Sequence, residues 1–215
     1  MSLDIRMLTV GAIQENTFLV RTEDAKEAIY VDPGAEAPRL LKALEQLDVT
    51  LAGILLTHTH FDHVGAVAEL AEATGAEVWV PELEHEDLLT IDTRMAERGG
   101  MFAEFGPFVP YDAEHEVKGG DVIELAGITF DVVFSPGHSP GHVVYAPQGH
   151  PYLFSGDVLF QNSIGRTDLP GGDHPRLLQS IAELMQRFDP ETTFLPGHMG
   201  PSTLGAEAKS NPFLR

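Results

Sequence analysis

Nine consecutive residues read Thr57-His58-Thr59-His60-Phe61-Asp62-His63-Val64-Gly65. A lone histidine is usually a surface or hydrogen-bonded residue, but three histidines and an aspartate this close together favour a metal site. Because residues two apart on an extended chain point to the same side, His58 and His60 can hold one ion together. Asp62 and His63 fall where the next helix should begin, and they offer a carboxylate and an imidazole to a second ion.

Strands and helices alternate on both sides of this segment. A buried strand, Gly53 to Thr57, leads into it, and apolar positions at helical spacing indicate a helix from Val67 to Thr74. The same patterns predict, in chain order, strands at Arg6 to Val10, Thr17 to Arg21 and Ala28 to Val31, a helix over Pro38 to Asp48, strands at Glu77 to Val80, Ile128 to Phe134, Val143 to Tyr145 and Tyr152 to Phe154, a helix from Pro175 to Phe188, and a strand at Thr193 to Leu195. This order is typical of a mixed α/β fold.

The segment from Pro81 to Asp112 is predicted to be partly helical. It contains four aromatic residues among acidic ones: Phe102, Phe105, Phe108 and Tyr111. Two roles fit this composition, a lid over a site or packing on the core, and packing is preferred.

Further candidate ligands each come just after a predicted strand. They are His138, Asp157 and His198. In sheets with helical crossovers, ligands bind at the carboxyl ends of strands, where loops converge. Pro-Gly pairs precede His138 and His198, and such turns can aim an imidazole inward. We therefore expect these side chains to meet those of residues 58–63 at one edge.

Composition limits both the metal and the partners. The 215 residues include no cysteine, so nitrogen and oxygen must hold any metal, which suits zinc first and iron or manganese as alternatives. A formal net charge of −20 disfavours nucleic acid and anionic lipid as partners. Without a signal peptide or a membrane-length apolar run, we expect one cytoplasmic domain over 1–215 that acts on a small molecule. The sequence leaves the oligomeric state open.

The motifs resemble those of a known family. Residues 57–65 resemble the signature of the metallo-β-lactamase superfamily. Three later motifs are similar to those of glyoxalase II, in the same order: Ser135-Pro136-Gly137-His138-Ser139, Ser155-Gly156-Asp157-Val158-Leu159-Phe160 and Leu195-Pro196-Gly197-His198. Residues 165–172 and the tail at 211–213 look most like the short, single-domain bacterial hydrolases of this type.

This resemblance implies a four-layer αββα sandwich with the site at one edge. It implies two divalent ions, one held by His58, His60 and His138, the other by Asp62, His63 and His198, with Asp157 bridging them. Asp62 and Asp157 are then the catalytic residues, acting with a metal-bound hydroxide. The implied reaction hydrolyses an anionic thioester, S-D-lactoylglutathione, to D-lactate and glutathione, and the thiolate can leave without a general acid.

The departures from the family pattern concern the substrate. Larger glyoxalase II enzymes have a C-terminal helical domain that helps to bind glutathione, whereas only Met199 to Arg215 follow the last ligand here. Their basic loop residue corresponds best to Arg166, which becomes the candidate for binding a substrate carboxylate. The alternative role for Arg166 is a salt bridge with Asp168 or Asp173 that shapes the glycine-rich loop.

Other functions fit part of the pattern. The nearest is a glutathione-dependent persulfide dioxygenase with a single iron on two histidines and one aspartate. His198, Asp62 and His63 favour two metals instead, and hence hydrolysis. A lactonase of the same superfamily fits too, a β-lactamase or a tRNA-processing nuclease less well, and a metal-binding module without turnover is the non-enzyme alternative.

Overall fold

The structure is a computed structural model that describes residues 2–100 and 105–215. The chain separates into two compact units, Met1–Glu116 with Leu125–Ile128, and Val117–Glu124 with Thr129–Arg215. The single domain over 1–215 stays a prediction. Among the residues described, none of the helices combines the length and the apolar character needed to cross a membrane.

The first unit contains a mixed six-stranded sheet. Its elements are β1 (Leu3–Val10), β2 (Glu15–Thr22), β3 (Glu27–Val31), α1 (Ala37–Leu47), β4 (Thr50–Leu55), α2 (Phe61–Val64), α3 (Val67–Thr74), β5 (Glu77–Pro81), a 3₁₀ turn (Glu82–Glu84), α4 (His85–Leu89), α5 (Ile91–Arg98) and β6 (His115–Val117). The strand order is β1-β2-β3-β4-β5-β6. Strands β1 to β3 pair antiparallel, whereas β3, β4 and β5 run parallel, as helical crossovers require.

Helix α1 shows why the sequence folds this way locally. Leu40 and Leu44 recur at helical spacing and are buried, while Leu41 and Leu47 pack at the edge of the same core. The Tyr30 hydroxyl of β3 donates a hydrogen bond to the Leu40 carbonyl at 2.8 Å. The helix is thereby fixed to the strand that leads into the candidate site.

The second unit has its own six-stranded sheet. Its elements are β7 (Val122–Leu125), β8 (Ile128–Phe134), β9 (Val143–Pro147), β10 (Tyr152–Gly156), β11 (Leu159–Phe160), β12 (Ser163–Ile164), α6 (His174–Arg187), β13 (Thr193–Pro196), β14 (Ser202–Thr203), α7 (Leu204–Ser210) and a 3₁₀ turn (Pro212–Leu214). The strand order is β14-β13-β10-β9-β8-β7, and β11 pairs with β12 as a separate hairpin. Strands β10 and β13, which lead to two candidate ligands, run parallel.

Helix α6 begins as the sequence predicts. Pro175 lies in the first turn, and the Asp173 side chain caps the helix by accepting the Arg176 N–H at 3.0 Å. Leu177, Ile181 and Leu184 form its buried face, packed in the core of the second unit.

The predicted helices and strands are present, with two kinds of difference. Strand β4 ends at Leu55 and not at Thr57, because the Thr57 N–H leaves the strand ladder and donates to Asp32 at 2.7 Å. The prediction also missed short elements that carry little periodic signal: β6, β7, β11, β12, β14 and α7.

The segment after β5 is helical over Glu82–Arg98, as predicted, apart from a break at Thr90. Phe108 and Tyr111 pack against the first unit's core, which confirms the preferred packing role for these two side chains. Phe102 lies outside the described residues.

Candidate metal centre

Four candidate ligands of the first unit lie between β4 and the end of α2. His58 and His63 are fully buried, and their ring centroids are 4.1 Å apart. His58 Nε2 lies 3.1 Å from His60 Nδ1, so these two rings converge as the spacing of two residues predicts. Helix α2 begins at Phe61, which places Asp62 and His63 in its first turn, also as predicted.

Asp32, directly after β3, holds this ligand segment in place. It accepts hydrogen bonds from the Thr57 N–H at 2.7 Å and from the Thr57 hydroxyl at 2.6 Å. Its second oxygen also lies 3.1 Å from His63 Nδ1. Because a carboxylate only accepts, His63 Nδ1 carries the proton, and Nε2 is left as the metal-binding nitrogen. Asp32, His58 and His63 also form a group whose potential ligand atoms lie within 4.8 Å of one another.

Two further buried carboxyl groups support the same segment. Glu84 accepts from the Thr59 N–H at 3.0 Å and from the Thr59 hydroxyl at 2.9 Å. Glu15 accepts from the Thr17 hydroxyl at 3.0 Å, and its other oxygen lies 3.9 Å from His63 Nδ1. Burial raises the pKa of Glu15 well above its ordinary value. None of Glu84, Glu15 and Asp32 was predicted from the sequence as a site residue.

The second unit gathers its three candidate ligands around Asp157. Asp157 Oδ2 lies 3.5 Å from His138 Nε2 and 3.7 Å from His198 Nε2. Asp157 follows the end of β10 and His198 follows the end of the parallel strand β13. For this pair, the expectation that ligands meet at the carboxyl ends of neighbouring strands is therefore correct.

Backbone groups orient the ligands of this second unit. His138 Nδ1 donates to the Arg166 carbonyl at 2.8 Å, which leaves Nε2 directed at Asp157. The Asp157 N–H donates to His142 Nε2 at 3.1 Å, so His142 supports the candidate ligand through its backbone. Gly165 is required here, because a Cβ at that position would lie 1.9 Å from the Asp157 carbonyl oxygen.

The Arg166 side chain forms the salt bridge that was the alternative to substrate binding. Its Nε and Nη2 donate to the two Asp168 oxygens at 2.8 and 2.9 Å. This pairing lowers the pKa of Asp168 to about 2. Both side chains are well exposed, so the pair lies in water and leaves the guanidinium accessible to a solute anion.

The donor set fits metal ions. The nitrogen-to-carboxylate separations at Asp62 and His63, and at Asp157 with its two histidines, are 3.5 to 3.7 Å. Those separations exceed an N–H···O hydrogen bond of 2.7–3.2 Å, as expected for ligands of a shared ion. Neutral imidazoles and carboxylates are the ligands that zinc, iron and manganese take in proteins.

This fold and these histidine and aspartate groups define a class of protein. The chain belongs to the metallo-β-lactamase superfamily, whose family profile matches residues 10–198. Membership supports a metal-dependent hydrolase, and two similar solved structures confirm the predicted fold.

Individual relatives are similar over nearly the whole chain. Hydroxyacylglutathione hydrolase GloC of Haemophilus influenzae is 37% identical over 99% of this chain and 98% of its own length. The crystal structure of BLEG-1 B3 metallo-beta-lactamase matches with a TM-score of 0.88 at 38% identity, covering 98% of this chain and 99% of that one. The di-iron-bound form of TTHA1623 matches with a TM-score of 0.84 at 38% identity, covering 97% and 100%.

Proposed function

We propose that this protein is a thioester hydrolase of the glyoxalase II type, with S-D-lactoylglutathione or a similar anionic thioester as substrate. The observation that carries the proposal is that each unit gathers its own share of one ligand set. The His60 and His63 rings lie beside the buried His58 ring in the first unit, and two imidazoles face Asp157 in the second. The GloC relative supports the choice of a thioester.

Two divalent ions are proposed for this set. His58, His60 and His138 would hold one, Asp62, His63 and His198 the other, and Asp157 both. When bound, such ions supply a hydroxide nucleophile at neutral pH and polarise the substrate carbonyl. Zinc is the first candidate, manganese remains an alternative, and the di-iron-bound relative supports iron as another.

The chain's own residues then have defined tasks. Asp32 keeps the proton of His63 on Nδ1, and the Arg166 carbonyl does the same for His138. Both imidazoles therefore present Nε2 as a ligand. A thiol has a pKa near 8.5, so its thiolate leaves without a proton from the protein. The Arg166 guanidinium is proposed to exchange Asp168 for a substrate carboxylate, since an exposed pair is worth only about 0–1 kcal/mol.

The test combines metal analysis with a thioester assay on the same preparation. We expect about two ions per chain and release of thiol from S-D-lactoylglutathione that stops when a chelator removes the metal. Arg166→Gln, which keeps a polar side chain but loses the charge, should raise KM more than it lowers kcat. Gln148→Ala is its control, because Gln148 is exposed on the same unit and its side-chain amide donates to Asp131, which is not a candidate site residue, at 2.7 Å.

Three results would redirect the proposal. Iron at one ion per chain, with oxygen uptake on glutathione persulfide and no thioester turnover, would favour the dioxygenase. Ring opening of a β-lactam faster than thioester cleavage would favour the activity named for BLEG-1. Turnover of lactones alone would favour a lactonase.

A further inference from the structure

A cavity of about 250 Å³ lies within the first unit, beside the candidate ligand Asp62. Four chain segments enclose it: the turn between β1 and β2, the turn after β3, helix α2 with Gly65 after it, and residues 105–108. Its apolar walls are Val10, Ile13, Phe61, Phe105, Pro107 and Phe108. Whole small-molecule ligands usually occupy about 300–1,000 Å³, so this space suits one part of a substrate.

Aromatic contacts make the wall next to Asp62 rigid. The Phe61 ring stacks on Phe105 with centroids 5.3 Å apart, and its edge meets Phe108 at 5.7 Å. Such ring pairs attract one another beyond the effect of their buried area. The residue directly before the ligand is therefore held as part of an apolar surface.

The charged groups of the cavity exclude an anion. The described residues that line it include no lysine or arginine, and their only charged side chains are Glu36 and Asp62. Glu36 is already engaged, because it accepts from the Gly11 N–H and from Arg39, both at 2.9 Å. The hydrogen bond from Arg39 lowers the pKa of Glu36, which therefore stays negative at neutral pH. The described lining also offers no serine, threonine, asparagine or glutamine side chain to a substrate hydroxyl.

We propose that this cavity is the acyl subsite of the enzyme and takes a neutral, apolar acyl group such as butyryl or hexanoyl. The inference rests on the proposed thioester hydrolysis and makes its substrate class more specific. The glutathione carboxylates, which need cations, bind elsewhere. The small, hydroxylated lactoyl group would fill little of the cavity and place its hydroxyl among mostly apolar side chains.

The test compares thioesters that share one thiol and differ only in the acyl group. S-acetyl-, S-butyryl-, S-hexanoyl- and S-D-lactoylglutathione would be assayed on the metal-loaded protein. Each buried methylene contributes about a fourfold gain, so kcat/KM for butyryl, which has two more methylenes, should exceed that for acetyl about sixteenfold. Hexanoyl should also exceed D-lactoyl by at least about tenfold.

A pair of variants assigns this gain to the cavity. Ile13 lines the cavity but is 41% exposed, so Ile13→Ala should not disturb folding. We expect it to reduce the gain from acetyl to hexanoyl severalfold. Met7→Ala is the matched control, because Met7 lies on the same hairpin, is 46% exposed and is absent from the cavity lining. In Met7→Ala, the dependence of kcat/KM on the length of the acyl group should equal that of the wild type.

A binding measurement separates the two proposals. S-methyl- and S-hexylglutathione have no thioester to hydrolyse, and calorimetry should show tighter binding of the hexyl compound, with the difference reduced in Ile13→Ala. Fast turnover of D-lactoyl with no dependence on chain length would overturn the acyl subsite and leave the hydrolase intact. If no thioester is hydrolysed, the proposal of thioester hydrolysis is wrong. Equal affinity for the two thioethers would then overturn the acyl subsite as well, whereas tighter binding of S-hexylglutathione would support it.

Discussion

Replacing Asp32 with asparagine tests whether one buried carboxylate decides which nitrogen of His63 can bind metal. Asp32 Oδ2 accepts from the Thr57 hydroxyl and lies 3.1 Å from His63 Nδ1, while Oδ1 accepts from the Thr57 N–H. In the variant, the asparagine side-chain NH₂ group takes the place of one of these oxygens. In the Oδ2 position it would face the Nδ1–H of His63, and in the Oδ1 position it would face the Thr57 N–H, so two donors would meet in either case. Asparagine tolerates the positive φ of 49° at this position, so the change is confined to the hydrogen bonds.

The expected loss has two parts. If the His63 proton moves to Nε2, that nitrogen can no longer act as a ligand, and supporting contacts of this kind are worth about 10–100-fold in metal affinity. That range corresponds to about 1.4–2.8 kcal/mol of binding free energy. Without metal, one disturbed buried hydrogen bond should lower the free energy of unfolding by about 1–3 kcal/mol.

Chelator competition measures the first part, and urea unfolding of the metal-free protein measures the second. Asp24→Asn is the control, because Asp24 is exposed at a turn and also has a positive φ, of 61°. It should match the wild type in both measurements. An Asp32→Asn protein with wild-type metal affinity would refute the reasoning about His63, even if its stability were reduced.

Three further perturbations follow from the site and the sheet. Asp157→Ala is expected to lose metal and activity together, because one carboxylate is assigned to both ions; elemental analysis that still found two ions per chain would contradict this assignment. Gly165→Ala should lower the free energy of unfolding by about 1–3 kcal/mol, since its Cβ would lie 1.9 Å from a carbonyl oxygen, and an unchanged urea midpoint would be the contrary result. Asp4→Asn should lower the free energy of unfolding by no more than about 1 kcal/mol at pH 7, because a partly exposed ion pair contributes little. Hydrogen bonds from Arg6 and then Arg21 lower the pKa of Asp4 in the folded protein. A carboxyl group whose pKa is lower in the folded state stabilises the protein at pH values above its pKa in the unfolded state. This stabilisation is lost as the pH falls through the pKa of the folded state, so the urea midpoints of variant and wild type should converge in acid.

The sequence predicted the parts of the fold and site that have strong local signals. Helix α1 shows a clear apolar stripe, and β8 alternates apolar and polar positions, so both were placed within a residue or two. The ligand segment at 57–65 is dense enough in histidine to be recognised without a structure. The short strand β14 has two residues and no period to detect.

Supporting residues were missed because their signals are not local. Glu84 is 25 positions from Thr59, and it resembles the many surface acids of an acidic chain until the fold buries it. Arg166 orients His138 through its backbone carbonyl, and a pattern of side chains in the sequence cannot indicate such a contact. Asp32 had a usable signal, because it directly follows the buried strand β3, and the rule that found Asp157 after β10 applies to it equally.

The two acids that flank the ligand segment also determine what metal binding has to accomplish. Asp32 and Glu84 hold Thr57 and Thr59 through backbone and hydroxyl groups, and neither threonine is a candidate ligand. Ordering a loop costs roughly 1–2 kcal/mol per residue, and these hydrogen bonds order Thr57 and Thr59 without using a candidate ligand. Ions of different size can therefore be exchanged at a scaffold that is already shaped, and the differences among their affinities will reflect coordination chemistry alone.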